Sequence, residues 1–168
     1  MIRFIAVELP NPEFLAESAR SVPLQWIGFL KRVVDSGGTL RIPDWQVRTP
    51  LDAMPIHQPL LFLYHSRKTL TYVVPDELME TAKALDWDEI ERWAKLRDST
   101  ARLADAATEL RGIVPMAEFI EDLQNAYPDI TEYETAIELI MQACIIMPIF
   151  QILLTEDDAY LLQADLTD

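Results

Sequence analysis

The sequence predicts an α+β fold that is mainly helical and built from two winged-helix-like units, residues 1–86 and 87–168. Three observations support this prediction. Long stretches repeat apolar residues at spacings of three and four, as amphipathic helices do. Each half also contains two short β-rich runs joined by a polar turn, which is the pattern of a hairpin. Helices precede a hairpin in both halves, and the halves are expected to pack as one body or to form two lobes.

The first half opens with helices. Asn11 followed by Pro12 predicts a helix start, because an asparagine side chain caps exposed backbone N–H groups and proline fits the first turn. A second helix carries its apolar residues on one face, namely Trp26, Phe29, Leu30 and Val33. Gly37-Gly38 ends this helix, and Thr39–Ile42 follows as a short strand.

A hairpin closes the first half. The β-rich runs Leu60–Tyr64 and Leu70–Val74 flank a polar loop. Pro75 then ends the second strand and opens a further helix. Acidic residues lie in the first turn of this helix, where a negative charge interacts favourably with the helix dipole.

The second half repeats this order. A long helical pattern covers Glu89–Arg111 and ends at Gly112. Its expected buried residues are Ile90, Trp93, Leu96, Leu103, Ala106, Ala107 and Leu110. Pro115 begins the next helix, and the pair Thr131 and Glu134 predicts a capping box for a third.

A second hairpin closes the chain. Pro148 ends the third helix, and the apolar runs Ile149–Leu154 and Ala159–Leu162 flank an acidic turn. The apolar stretch from Leu139 to Leu154 is too short and too interrupted for a membrane span, which needs ~20 residues, so we interpret it as core.

Charge is the strongest compositional feature. The net charge is −14, and no lysine or arginine follows Arg111, although twelve acidic residues do. Nucleic-acid binding needs Lys and Arg to replace phosphate counterions, so the second half is not expected to bind nucleic acid directly. The same deficit argues against binding to anionic membranes.

The cysteine content and the N-terminus indicate a cytoplasmic protein. Cys144 is the only cysteine, so no internal disulfide and no zinc spacing exist. No secretory signal is recognisable at the N-terminus. The chain is 50% hydrophobic, which is enough for a core without disulfides in a reducing compartment.

Three phrases of the chain resemble a group of uncharacterised bacterial proteins of the Firmicutes type. They are Gly37-Gly38 followed by Leu40, the segment Tyr72–Leu78, and the segment Leu110–Pro115 before a helix. The resemblance implies tandem winged-helix-like segments, often beside a cysteine-rich zinc-binding tail. This chain has no such tail, and the resemblance implies architecture without an activity.

Candidate partner-binding residues are two tryptophans and the acidic turn. Trp45 and Trp87 lie in non-periodic stretches beside aspartates, so either would anchor an interface if it were exposed; the alternative is a core residue beneath a loop. Glu156, Asp157 and Asp158 form the turn of the second hairpin. Basic residues of the first half could form a patch, comprising Lys31, Arg32, Arg67 and Lys68.

No catalytic residue, metal site or cofactor is predicted. His57 and His65 lack the spacing of a helical metal pair, and Cys144 has apolar neighbours and no adjacent base. The chain is therefore not expected to be an enzyme, although carboxylates that the fold brings together stay an open alternative.

These features favour a protein-interaction or regulatory module that presents an acidic docking face to a protein partner. One alternative is a DNA mimic that occupies the basic site of a nucleic-acid-binding protein. Another is a weak DNA-binding regulator that uses the N-terminal half. A homodimer is a further open possibility.

Overall fold

The computed structural model describes residues 11–43, 61–66 and 68–164. The chain divides into two compact units, which we call unit 1 (up to Ala94) and unit 2 (from Lys95). Compactness does not test independent folding, so the predicted domain boundary after residue 86 stays a prediction. The described residues confirm an α+β architecture with much helix and two small antiparallel sheets.

The described residues of unit 1 form three helices, the start of a fourth, and three strands. The helices are α1 (Pro12–Arg20), α2 (Leu24–Asp35), α3 (Asp76–Ala84) and the first turns of α4 (Trp87–Arg111). The strands are β1 (Thr39–Pro43), β2 (Phe62–Ser66) and β3 (Thr69–Val73).

The helix ends of unit 1 follow the sequence signals. Asn11 Oδ1 accepts a hydrogen bond from the Glu13 N–H at 2.9 Å, which confirms the predicted N-cap of α1. Gly37 and Gly38 have φ values of 83° and 82°, the left-handed region that favours glycine. Their N–H groups donate to the Val34 and Val33 carbonyls, so the glycine pair ends α2 as predicted.

The sheet of unit 1 has the strand order β1-β3-β2, with both pairs antiparallel. The predicted hairpin is present, and its return strand β3 also pairs with β1. Leu70 and Tyr72 on β3 are buried and join the core that α2 and α3 cover. Phe29 packs edge-on against Tyr72, with ring centroids 4.7 Å apart.

Within the described part of unit 2, the chain forms the rest of α4, two further helices and three strands. The helices are α5 (Met116–Ala126) and α6 (Tyr133–Ile146), and the strands are β4 (Ile113–Pro115), β5 (Phe150–Leu154) and β6 (Ala159–Gln163). The strand order is β4-β6-β5, so the first strand again pairs with the last. The sequence did not predict β4, because three residues are too few to show strand alternation.

The core of unit 2 lies between its helices and its sheet. Helix α5 contacts α6, β4 and β6, and α6 contacts β5. The fully buried large residues here are Phe119, Ile120, Leu123, Leu139, Ile140, Phe150 and Leu161. The sheet face that carries Val114 and Leu161 is turned inward, since these directly paired residues are both fully buried.

Helix α4 buries a different face from the one that the sequence suggested. Its buried residues are Trp87, Ile90, Ala94, Arg97, Thr100, Ala101, Ala104 and Thr108. Leu110, predicted to be buried, is 86% exposed. Apart from Trp87, Ile90 and Arg97, the buried positions carry small side chains, so a search for large apolar residues selects the wrong face over most of the helix.

The start of α6 also differs from the prediction. The helix begins at Tyr133 with Glu132 at the N-cap, and no side chain caps it, so the capping box predicted at Thr131 is wrong. Among the described residues, no helix combines the length and apolarity needed to cross a bilayer.

Candidate protein-docking site

The acidic turn between β5 and β6 holds its shape through two of its four residues. The Thr155 N–H donates to the Asp158 carbonyl at 2.8 Å, and the Thr155 hydroxyl accepts from the Asp158 N–H at 3.0 Å. The Asp158 carboxylate accepts from the Ala159 N–H at 2.8 Å. Asp158 is exposed and also helps to hold the turn, and Glu156 and Asp157 are the two other exposed acids that the turn presents.

Apolar side chains lead into this turn. Leu153 is 46% exposed and Leu154 is 75% exposed, immediately before Thr155. Successive residues of a strand point to opposite faces, so these two leucines lie on opposite faces of the hairpin. The end of the hairpin therefore combines exposed leucines with two carboxylates, an arrangement that suits a partner with both apolar and cationic groups.

The solvent-facing side of α6 carries a mixed stripe. Glu134, Glu138, Met141 and Ile145 recur at spacings of four, three and four, so they share one helix face. All four are exposed, and Ile145 is 76% exposed. We call these four residues the α6 stripe. Its first half is acidic and its second half is apolar.

Two of the four cations of unit 2 pair with acids outside the α6 stripe and the acidic turn. Arg97 is fully buried, and its Nη2 lies 2.9 Å from an Asp98 oxygen. Arg111 forms an ion pair with Asp122 at 3.1 Å and lies 3.9 Å from Glu118. No base follows Arg111 in the sequence, so the segment that contains the α6 stripe and the acidic turn carries acids and no base of its own.

Cys144 covers part of the outer edge of β5. Its thiol donates to the Phe150 carbonyl across 3.4 Å. The Ile149 carbonyl accepts from the Ala164 N–H, and the Thr155 N–H donates to the Asp158 carbonyl, so both groups point toward β6. Because backbone groups alternate in direction along a strand, the Phe150 carbonyl points to the opposite edge. One carbonyl of this edge is therefore satisfied from within unit 2.

The environment of Cys144 does not activate its thiol. Partial burial raises the pKa of Cys144, and a backbone hydrogen bond from Ile152 opposes this shift only in part. The nucleophilic thiolate is therefore less populated than in a free cysteine at neutral pH.

One of the two candidate tryptophans is buried away from this site. Trp87 is 9% exposed, and its indole N–H donates to the Ala82 carbonyl at 3.1 Å. A docking role required an exposed indole, and the structure places this one in the core of unit 1. Trp45 lies outside the described residues.

Three of the four basic candidates lie among the described residues, each in a different setting. Lys31 Nζ lies 3.8 Å from an Asp88 oxygen, and the Arg32 guanidinium lies over the Phe29 ring at 5.6 Å from its centroid. Lys68 is exposed in the turn between β2 and β3. Arg67 lies outside the described residues, so a patch that includes it stays a prediction.

Sequence reasoning missed Met141, Ile145 and Leu154 as surface residues, since it assigned the whole run from Leu139 to Leu154 to the core. One signal could have found them. Helix α6 is apolar around most of its circumference, and a helix at the surface of a small unit cannot bury every side.

No group of three or more His, Cys, Asp or Glu side chains that could hold a metal ion occurs among the described residues. No protein-family model, curated protein or solved structure matches this chain. The resemblance to the Firmicutes-type group therefore stays a prediction.

Proposed function

We propose that this chain is a protein-interaction or regulatory module that binds a basic protein partner through unit 2. The observation that carries the proposal is the exposed end of the second hairpin, where Glu156 and Asp157 follow Leu153 and Leu154. Two carboxylates would steer a cationic surface toward the site, and the leucines would supply the apolar contact that holds it.

We also propose that both units are winged-helix-like. Unit 2 supports this with the order helix, short strand, helix, helix, hairpin, in which α6 precedes the hairpin. The two sheets share one strand order, in which the first strand pairs with the last. In a DNA-binding winged helix, α6 would enter the major groove, and glutamates at its exposed positions would repel phosphate instead.

The proposal is tested by affinity capture with the full chain, quantified by mass spectrometry at low and moderate salt. The test variant carries Glu156→Lys and Asp157→Lys. The control carries Glu17→Lys and Asp35→Lys, two exposed acids of unit 1. Each reversal changes the charge by two, so both double variants move the net charge from −14 to −10.

We expect the wild type and the unit 1 control to capture the same partner and the turn variant to lose at least nine tenths of it. Capture should fall at moderate salt, because exposed charges are screened. Equal capture by all three proteins would contradict an acidic docking face. Equal loss in both variants would assign binding to overall charge rather than to this site.

A DNA mimic is the second candidate, favoured by the lack of any base after Arg111. Its partner would be a nucleic-acid-binding protein, and duplex DNA would displace the chain from that partner. A partner that binds the chain and DNA together would exclude this candidate.

A weak DNA-binding role for the N-terminal half is the third candidate. It depends on the basic residues Lys31, Arg32, Arg67 and Lys68. The full chain would then shift duplex DNA in a gel at low salt, and Lys68→Glu would weaken the shift. The absence of a shift would exclude this DNA-binding role.

A further inference from the structure

Two apolar side chains of the α6 stripe are exposed in the described structure. Met141 is 49% exposed and Ile145 is 76% exposed, one turn apart on the same face. The opposite face of α6 is fully buried at Ala136, Leu139, Ile140 and Ala143. The core of unit 2 therefore uses one side of the helix, and a partner that covered the other side would remove both apolar groups from water.

The rest of the stripe identifies the chemistry of that partner. Glu134 and Glu138 continue the same face toward the N-terminus of α6, and Glu138 is oriented by the Gln142 amide at 3.0 Å. The centre of the acidic pair lies seven residues from the centre of the apolar pair, a distance of about 10 Å along a helix. A matching surface must place cations roughly two helical turns from its own apolar residues.

A second copy of this chain does not match. In a parallel pairing of two α6 helices, the glutamates would face one another. In an antiparallel pairing, Glu134 of one copy would meet Ile145 of the other and lose water without gaining a cation. The net charge of −14 on each copy adds long-range repulsion.

We infer that the α6 stripe binds an amphipathic basic helix of another protein, an inference that rests on the proposed function and deepens it. Two apolar residues of that helix, three or four apart, cover Met141 and Ile145. Lysine or arginine residues about two turns away pair with Glu134 and Glu138. The basic helix docks on α6 itself rather than on the acidic turn of the proposed function.

The experiment uses a phage library that displays 18-residue helical peptides with five randomised exposed positions, selected against the immobilised full chain. Counter-selection uses Ile145→Ser, and Met141→Ser serves as a second variant. Leu110→Ser is the matched control, because Leu110 is an exposed leucine of unit 2 outside the stripe. Circular dichroism checks that each variant is folded.

We expect enriched peptides to combine an apolar pair three or four residues apart with cations about seven residues away. Synthetic copies should bind wild type and Leu110→Ser equally, and should bind Ile145→Ser and Glu134→Lys/Glu138→Lys at least tenfold more weakly. Enrichment of peptides without cations, or equal binding to Ile145→Ser, would overturn the inference. Concentration-dependent dimerisation that Ile145→Ser abolishes would overturn it in favour of a second copy.

The outcome is distinguishable from that of the proposed function. If the captured natural partner needs Glu156 and Asp157 but tolerates Ile145→Ser, the inference about α6 fails and the acidic docking module stands. If the partner tolerates both changes, both proposals fail.

Discussion

Arg20 and Glu89 form a two-pronged ion pair within unit 1. Arg20 Nη2 donates to Glu89 Oε1 at 2.7 Å, and Arg20 Nε donates to Glu89 Oε2 at 3.3 Å. The same guanidinium lies over Trp93, 5.5 Å from the ring centroid. One side chain at the end of α1 therefore joins that helix to two positions on the first turns of α4.

Replacing Arg20 should destabilise unit 1 measurably. The pair is partly buried and bidentate, so Arg20→Ala should lower the free energy of unfolding by about 1–2 kcal/mol, more than a typical surface pair. Tryptophan fluorescence in a denaturant titration is the measurement, because all four tryptophans precede Lys95. Arg20→Lys should lose part of this stability, and no loss with Arg20→Ala would contradict the structural assignment.

Three glycines of unit 1 should respond differently to alanine. Gly38 has a positive φ, and a Cβ there would lie 2.6 Å from Met79 Sδ and 3.3 Å from the Val74 carbonyl, so Gly38→Ala should cost more than about 1 kcal/mol. Gly37→Ala meets open space and should cost about 1 kcal/mol from its positive φ alone. Gly28 lies inside α2 with nothing within 4 Å, so Gly28→Ala should stabilise by roughly 0.5–1 kcal/mol.

The same fluorescence titration ranks the three variants, with wild type as the reference. A destabilising Gly28→Ala, or a Gly38→Ala that costs less than Gly37→Ala, would show that the surroundings of these positions differ from the structure described here.

The two faces of α6 should differ sharply in their effect on stability. Leu139 is fully buried, so Leu139→Ala should cost about 2–5 kcal/mol. Ile145→Ala should change stability by less than about 0.5 kcal/mol, because this side chain is largely in water. Thermal unfolding followed by circular dichroism is the measurement, and a large loss with Ile145→Ala would place that residue in a core rather than on a docking face.

The Cys144 thiol should be slow to alkylate. Burial raises its pKa above that of a free thiol, so the thiolate forms only at higher pH in the folded chain. Iodoacetamide labelling at pH 8 should be faster in urea than in buffer, and the native pH profile should be displaced upward. Equal rates in both solvents would indicate an exposed, unperturbed thiol.

The raised pKa of Cys144 also makes the stability of the fold depend on pH. The Cys144 thiol keeps its proton to higher pH in the folded state than in the unfolded state. Its contribution to the free energy of unfolding is therefore present below the ordinary thiol pKa and is lost as the pH rises through the raised pKa. Cys144→Ala should flatten that alkaline decline. A decline of unchanged slope in Cys144→Ala would assign it to other groups.

Local signals predicted much of the fold. Asn11, Gly37-Gly38 and Gly112 marked helix ends because each meets a backbone requirement that only the nearest residues decide. The hairpins followed from strand propensity on either side of polar turns. The pairing of β1 and β4 with the return strands could not be predicted this way, because it joins residues far apart in the chain.

The candidate site was harder to predict for the same reason. The exposed carboxylates Glu156 and Asp157 followed from turn chemistry, but the exposure of Ile145 depends on which side of α6 the sheet and α5 occupy. Trp87 illustrates the converse, since its neighbours are aspartates and its indole is nonetheless buried. Burial is a property of the assembled unit, and periodicity identifies it only when one face of a helix is clearly polar.

The most direct test of the central claim is hydrogen exchange on the full chain with and without the captured partner. We predict slower exchange on partner binding in residues 133–146 and 155–158, the segments of the α6 stripe and the acidic turn. Exchange in residues 11–43 should stay unchanged. Protection confined to residues before Lys95, with none in those two segments, would contradict docking through unit 2.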